Sequence, residues 1–276
     1  MSDKLIVHVL DFSKWKVFFF GAPYHPSENS YAKVLKEWAL QTDSHLTWNL
    51  GFFNFGTTKN IKEKCAYRSL EYVKGLNGII FGYNASGLPT EILELPNGNA
   101  CGGWKLAIKD GTQKCFDTSS KRARNLNGIT TNGMYIHAQT TNKVTEKAAI
   151  ENINNWVQKN YKTSIKLLFV QDAGGSTGCY STASKILTAG EQEGYNGRAV
   201  VTVACARYIG PKVTRILKKG CSGEDVRVLQ QILGGIECDG VFGKGTKAQL
   251  IIAQKKLGLV ADGIAGPVTL RALGLY

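Results

Sequence analysis

The stretch Ala149-Ile150-Glu151-Asn152-Ile153-Asn154-Asn155-Trp156-Val157-Gln158-Lys159-Asn160-Tyr161, followed by Ile165-Lys166-Leu167-Leu168-Phe169-Val170-Gln171-Asp172, sets the class of the fold. Residues 149, 150, 153, 156, 157 and 161 are apolar at helical spacing, whereas Leu167 to Val170 is an unbroken apolar run of strand length. Upstream, Ile6 to Phe12, Lys16 to Gly21, Leu46 to Phe55, Gly78 to Tyr83, Trp104 to Lys109, Gly133 to Gln139 and, downstream, Arg198 to Arg207 are β-branched or aromatic-rich segments bounded by turn residues. Tyr31, Val34, Leu35 and Trp38 mark a second amphipathic helix. The reading is an α+β fold, with a mixed-sheet catalytic domain over residues 1–210. No strand is followed by G-x-G-x-x-G or a P-loop, which argues against nucleotide binding.

The C-terminal segment has a different texture. Asp239-Gly240-Val241-Phe242-Gly243-Lys244-Gly245-Thr246 recurs 23 residues on as Asp262-Gly263-Ile264-Ala265-Gly266-Pro267-Val268-Thr269, both reading D-G-x-x-G-x-x-T. Asp-Gly marks a tight turn, and the Thr is placed to cap the helix that follows. Ser222-Gly223-Glu224-Asp225 leads into the apolar stripe Val226, Leu229, Ile232 and Leu233, and Ala248, Leu250, Ile252, Ala253 and Leu257 give a second helix. Residues 212–276 are therefore a small three-helix domain, joined through a linker at Tyr208 to Arg215.

Composition bounds the function. The 276 residues are 43% hydrophobic and 20% charged, the profile of a folded protein. No apolar run approaches the roughly 18 residues needed to span a bilayer. The N-terminus shows no cationic region, long apolar stretch and small-residue cleavage site in series, so no secretion signal is expected. Seven Cys at irregular spacing read as reduced, buried thiols, and four His (His8, His25, His45, His137) lie far apart without metal-site spacing. No cofactor is expected, and a metal ion beside Asp172 is left open. A net charge of +13 favours a polyanionic partner, yet no nucleic-acid-binding motif is present. Anionic cell-wall polymers fit that charge.

The run Gln171-Asp172-Ala173-Gly174-Gly175-Ser176-Thr177-Gly178 ends the apolar strand in a carboxylate and a glycine-rich turn. Glycines let backbone amides approach an anion, and a carboxylate held beside them can act as base or nucleophile. The plainer alternative is a tight connection in which Asp172 caps the next element.

Two family resemblances add to this. The pattern Leu217-Lys-Lys-Gly220, Gly223-x-Asp225-Val226, Leu229-Gln230, Leu233, both D-G-x-x-G-x-x-T loops and Gln254-x-x-x-Gly258-Leu259 closely resembles the peptidoglycan-binding domain 1 family, with Ala253 where that family usually has an aromatic. The resemblance implies a non-catalytic wall anchor, with Asp239 and Asp262 near a ligand groove. Asn49-Leu50-Gly51-Phe52-Phe53 and Asp172-Ala-Gly-Gly-Ser-Thr resemble the N-G-G-F-F and D-G-G-G-S-T motifs of the phosphodiester glycosidase family, related to the enzyme that removes N-acetylglucosamine from its phosphodiester on lysosomal glycans. Arg122-Ala-Arg124-Asn-Leu-Asn-Gly128 and Gly197-Arg198-Ala-Val-Val resemble its other segments, while Leu50 and Ala173 each replace a family glycine.

That resemblance implies cleavage of a sugar-1-phosphodiester or a related glycosidic bond. Asp172, Arg124, Arg198 and His137 are then the catalytic candidates. Asp172 meets the oxocarbenium-like carbon, Arg122, Arg124 and Arg198 offer bidentate forks to the departing phosphate, and His137 offers a proton. Asn49, Phe52, Arg122, Gly174, Gly175 and Ser176 are candidates for substrate binding. Asp11, Glu71 and Asp117 are candidates for a second carboxylate. The expected partner is the bacterial cell wall, peptidoglycan with or without teichoic acid, met by a monomer made in the cytoplasm and released in the manner of a phage endolysin. The alternatives are a cysteine amidase or endopeptidase using Cys65, Cys101 or Cys179 with His137, and a catalytically inactive wall-glycan-binding protein.

Overall fold

The computed structural model describes residues 5–21, 33–50, 65–67, 80–83, 89–92, 99–102, 105–114, 117–171, 173–174, 177–190, 200 and 202–276. One sheet runs in the order β1 (Leu5–Leu10), β11 (Tyr135–Thr140), β10 (Asn125–Thr130), β12 (Ile165–Val170), β8 (Lys105–Lys109) and β9 (Thr112–Gln113). A second runs β14 (Ile186–Ala189), β13 (Gly178–Ser181), β3 (Leu46–Asn49), β15 (Thr202–Tyr208) and β2 (Trp15–Gly21). A third holds β4 (Cys65–Tyr67), β7 (Asn99–Gly102), β5 (Ile80–Tyr83) and β6 (Pro89–Ile92). The α+β class holds. Every ladder among the described residues is antiparallel, however, where a mixed sheet was expected.

The first two sheets face each other, and each carries a helix on its outer side. Helix α2 (Glu146–Tyr161) begins where Thr145 Oγ1 accepts from the Ala148 amide at 3.2 Å, and ends at Lys162, whose left-handed φ of 52° turns the chain out of the helix. Its stripe Ala149, Ile150, Ile153, Trp156 and Val157 packs on Val7, Val9, Leu126, Ile136, Ala138, Leu168 and Val170 of the first sheet. Each fully buried aliphatic side chain there contributes about 1.5–3 kcal/mol. Helix α1 (Leu35–Thr42) covers the second sheet through Leu35, Trp38 and Ala39 against Tyr180, Val203 and Cys205. Between the sheets, Leu10, Ile129, Tyr135, Leu167 and Phe169 meet Trp15, Leu46, Trp48, Cys179, Ala204 and Ala206.

Because both faces of the central strands are covered, β10 and β11 are buried along their whole length. The inner face nonetheless carries Asn125, Asn127, His137, Gln139 and His8, all at 0% exposure. Asn127 serves as a joint here: its Oδ1 accepts from Trp48 Nε1 at 2.8 Å and from the Tyr135 hydroxyl at 2.6 Å, tying the two sheets together.

The C-terminal helices are α3 (Glu224–Leu233), α4 (Lys244–Lys256) and α5 (Pro267–Ala272). Their repeat is built on buried glutamines. Gln230 Nε2 donates to Asp239 Oδ1, the Val241 carbonyl and Thr246 Oγ1, while its Oε1 accepts from the Gly240 amide. Gln254 repeats this with Asp262, Ile264, Thr269 and Gly263. Thr246 and Thr269 therefore do not cap helices, as the loop pattern had suggested; they sit inside α4 and α5 and accept from a glutamine.

The segment read as a linker is pinned on both sides. Ile209 N donates to Lys14 O at 2.7 Å, Val213 N to Leu275 O at 2.6 Å, and Tyr208 closes β15. The helical unit also bonds the sandwich directly. Gln231 Nε2 donates to the Val9 carbonyl at 2.8 Å, Ser181 Oγ to Ile232 O, Ser184 Oγ to Leu233 O, and Trp156 Nε1 to Glu237. One apolar cluster runs from Trp48 and Leu10 through to Leu229, Phe242 and Leu275.

Two substitutions test this packing. A Cβ at Gly128 would lie 2.1 Å from the Leu167 carbonyl oxygen, which belongs to the neighbouring backbone. Gly128→Ala is expected to lower stability by about 2–3 kcal/mol or more, read as a shift in the urea midpoint. Gln254→Leu, which strands the Gly263 amide and Asp262, is expected to lose about 1–3 kcal/mol in the same assay.

Candidate functional site

Three of the segments singled out in the sequence meet at one end of the sandwich, where β3 and β12 finish and β10 and β13 begin. Asn125 Nδ2 donates to the Asn49 carbonyl at 2.7 Å and to Asn49 Oδ1 at 3.1 Å. Asn49 Oδ1 also accepts from the Gly178 amide at 3.2 Å. Gln171 N donates to Asn125 O, Gly174 N to Ala123 O, and Thr177 N to Gly174 O, so the loop after β12 is pinned at both ends. Gly174 takes a φ of 71°, and Gly190 packs so closely that an added Cβ would stand 2.6 Å from Ala123 Cβ. The bends there need glycine.

Several candidate residues have other work at this end. Arg124 is 4% exposed, with Nη1 3.2 Å from Glu146 Oε1, Nε 3.1 Å from the Val144 carbonyl, and Nη2 on the Ser120 carbonyl. Among the described residues its guanidinium is held in a buried ion pair that closes the turn before β10. The Asn49 side chain braces β3 against β10 and β13 through its Oδ1. The Gly174 amide is taken by Ala123 and cannot serve an anion. Arg122 differs: its backbone bridges Val144, and its exposed guanidinium reaches Ser120 Oγ at 3.3 Å. Asp172, Arg198, Phe52, Gly175 and Ser176 lie outside the described residues, and Glu71 does as well.

Of the other carboxylates, Asp117 stands near this end, its amide donating to Glu146 Oε2 at 3.0 Å. The amides of Ser119 and Ser120, with the Ser119 hydroxyl, hold its carboxyl down at about 2. Asp11 follows β1 at the opposite end and caps the turn to Ser13.

His137 is not at this site. It lies between the sheets at 0% exposure, stacked on Trp48 with centroids 4.4 Å apart, so it does not reach a substrate as a proton donor. Cys179 is close to it, the pairing that a cysteine amidase would need, but the electrostatics run the wrong way. Burial pushes the thiol up to about 12 and holds the imidazole well below its usual value, the reverse of a thiolate–imidazolium pair. Asp239 and Asp262 are turn staples, each accepting from a glutamine and from the amide two residues on. The sequence reading passed over Gln171 and Asn125. The alternation of polar with apolar residues in Asn125-Leu126-Asn127 was the available sign that one face of that strand is polar.

Comparison with known proteins divides along the same line. Residues 222–273 match the family model for the putative peptidoglycan binding domain. Among curated relatives, a zinc D-Ala-D-Ala carboxypeptidase from Streptomyces albus G is 47% identical over 60 residues, covering 19% of this chain and 24% of that protein. A probable N-acetylmuramoyl-L-alanine amidase from Bacillus licheniformis is 38% identical over 86 residues, covering 28% of this chain and 24% of that protein. The chain thus spans about a quarter of each. Among solved structures, the catalytic domain of zebrafish N-acetylglucosamine-1-phosphodiester alpha-N-acetylglucosaminidase, auto-inhibited by its pro-peptide, superposes with a TM-score of 0.53 at 15% identity over 74% of this chain and 82% of that one. A hypothetical protein from Synechocystis gives a TM-score of 0.52 at 10% identity over 73% of this chain and 58% of that one. These two likenesses concern the fold alone.

If Arg124 is the structural partner of Glu146, Arg124→Met leaves a buried carboxylate without its cation and is expected to lose about 3–5 kcal/mol. Arg124→Met combined with Glu146→Leu is expected to recover most of that loss. A chemical-denaturation double-mutant cycle reads both, and loss of turnover in Arg124→Met with stability unchanged would restore the phosphate-binding role.

Proposed function

We propose that this chain is a cell-wall-directed hydrolase in which residues 1–210 cleave a sugar-1-phosphodiester or related glycosidic bond and residues 212–276 bind peptidoglycan. The observation that carries this reading is the convergence of Asn49, Arg122–Gly128, Gln171 and Gly174 on one end of a sandwich that shares its fold with a phosphodiester glycosidase, in a chain that ends in a match to a peptidoglycan-binding family.

The chemistry asks little of acid catalysis. A phosphodiester leaves as a stabilised anion, so cations near its oxygens matter more than a proton donor. In this reading Arg122 and Arg198 meet the phosphate, and Asp172 meets the positive charge that develops at the anomeric carbon, by direct attack or through a water. The loss of His137 from the site is compatible with that division of labour. The wall-binding unit raises the local concentration of the polymer, so weak affinity at the catalytic end suffices. Val241 and Ile264, at equivalent places in the two loops and both exposed, are our candidates for its contact surface.

The names of the two curated relatives favour a second reading, in which the scissile bond is an amide or peptide bond of peptidoglycan. It is supported by alignments that cover a quarter of each relative, a length suited to a shared anchor.

The two readings separate in one experiment: incubate the protein with sacculi that carry or lack teichoic acid, and identify the released products by mass spectrometry. Sugar- or phosphate-bearing fragments released only from the teichoic-acid-bearing walls are expected. Muropeptides released from the stripped walls would overturn the glycosidase assignment. Asp172→Ala is expected to reduce release by roughly 10²–10⁴-fold, with sedimentation on sacculi and circular dichroism unchanged.

A further inference from the structure

We propose that His8, His137 and Cys179 form a buried transition-metal site of the zinc class that ties the two sheets of the sandwich together. His8 and His137 stand directly opposite each other on β1 and β11. Cys179 comes from β13 of the facing sheet, where it pairs in register with Trp48, the residue stacked on His137. One ligand atom from each of the three lies within 4.8 Å of the other two. Three residues separated by more than a hundred positions between first and second, and by about forty between second and third, are thus brought to one point by the pairing of strands.

A second observation points the same way. Both ring nitrogens of His8 and both of His137 are buried without a hydrogen-bond partner among the described residues. Buried polar atoms are nearly always bonded, so four orphaned nitrogens in one layer mark a place where a partner belongs. A metal ion takes a lone pair from each imidazole, which leaves one N–H on each ring to be satisfied. The Oε1 of Gln139, two residues along the same face of β11, and the Oε1 of Gln171, which follows β12, are also without partners among the described residues and are candidates to accept those protons.

The donor set selects the ion. Two imidazoles and a thiolate form a borderline-to-soft set that suits zinc, and the trio contains no carboxylate of the kind that hard cations prefer. Tetrahedral zinc with nitrogen at about 2.0 Å and sulfur at about 2.3 Å puts its ligands roughly 3.5 Å apart, so small side-chain rotations close the present spacing. As the metal–sulfur bond forms, the Cys179 thiol gives its proton to solvent, and the thiolate offsets part of the ion's charge. With both His at 0% exposure and Cys179 at 4%, no substrate reaches this point. The site is structural and independent of the hydrolase reading.

The test uses the full chain. Protein purified from zinc-supplemented cells is analysed for metal, then stripped with a chelator and titrated with Co²⁺ as a spectroscopic probe. One zinc per chain is expected, and Co²⁺ should give thiolate charge-transfer absorption. X-ray absorption of the zinc form should show one sulfur among nitrogen neighbours. At zinc about a hundredfold above its Kd, chelation should lower Tm by roughly 5–10 °C. Cys179→Ala should abolish the cobalt charge-transfer band, while Cys205→Ala, a buried thiol outside the trio, should keep it. Should Cys179→Ala not fold, the absorption spectrum of the unmutated protein decides alone. Folded protein that takes up neither metal at saturating concentration, or that binds it without sulfur, overturns the proposal.

Discussion

The rest of the structure depends on the double burial of β10 and β11. A strand covered on one side by a helix and on the other by a second sheet has no solvent face on which to place polar side chains. Each polar residue it carries must find a partner inside. Asn127 does so through Trp48 and Tyr135, and Asn125 through Asn49. The bonds to Trp48 and Asn49 cross from one sheet to the other, so the relative position of the sheets is fixed by directional contacts as well as by apolar packing. The same constraint makes Gly128 necessary, since the β10–β12 ladder has no room for a side chain at that place.

The edge of the first sheet brings the C-terminal unit into the same argument. β1 is an outer strand, and an outer strand presents unpaired carbonyls that invite another chain. Here the Val9 carbonyl receives Gln231 Nε2 from α3 and, at 3.4 Å, the Tyr161 hydroxyl from α2. Gln231 is 2% exposed, and deleting its amide would uncover both ends of a buried bond. The helical unit therefore covers an edge of the sandwich. A flexible tether would let the two units move independently; the bonds across this junction hold them together.

What the sequence disclosed was local. The helix over 149–161, the strand over 165–170 and the loop-helix repeat of the C-terminus each carry their signal within a dozen residues, through periodicity or turn chemistry. Strand direction does not, because pairing joins β8 to β12 and β2 to β15 across long intervals of chain. Residue surroundings were hidden for a related reason. Nothing in the local sequence shows that Arg124 pairs with Glu146, or that the Asp239 turn is held by Gln230. In each case the partner lies on another element. The glutamine hubs had a sign that was available: Gln230 and Gln254 stand nine and eight residues ahead of their Asp-Gly turns. A repeated polar residue at a helical core position is a candidate for a buried network before it is a surface group.

The same distinction separates the two histidines of the interior from ordinary core residues. Along β1, Ile6, His8 and Leu10 share one face, so a reading by alternation makes His8 a core position flanked by aliphatics. A lone imidazole there would pair with a carbonyl or a hydroxyl, as Asn127 pairs with Trp48 and Tyr135. Instead it faces a second imidazole across the ladder and a thiol from the opposite sheet, and neither offers it a hydrogen bond. Apolar residues of similar volume would satisfy the packing at lower desolvation cost. Two imidazoles and a thiol at one layer between the two sheets make packing an insufficient account of that layer, and coordination supplies the attraction that packing and hydrogen bonding leave out.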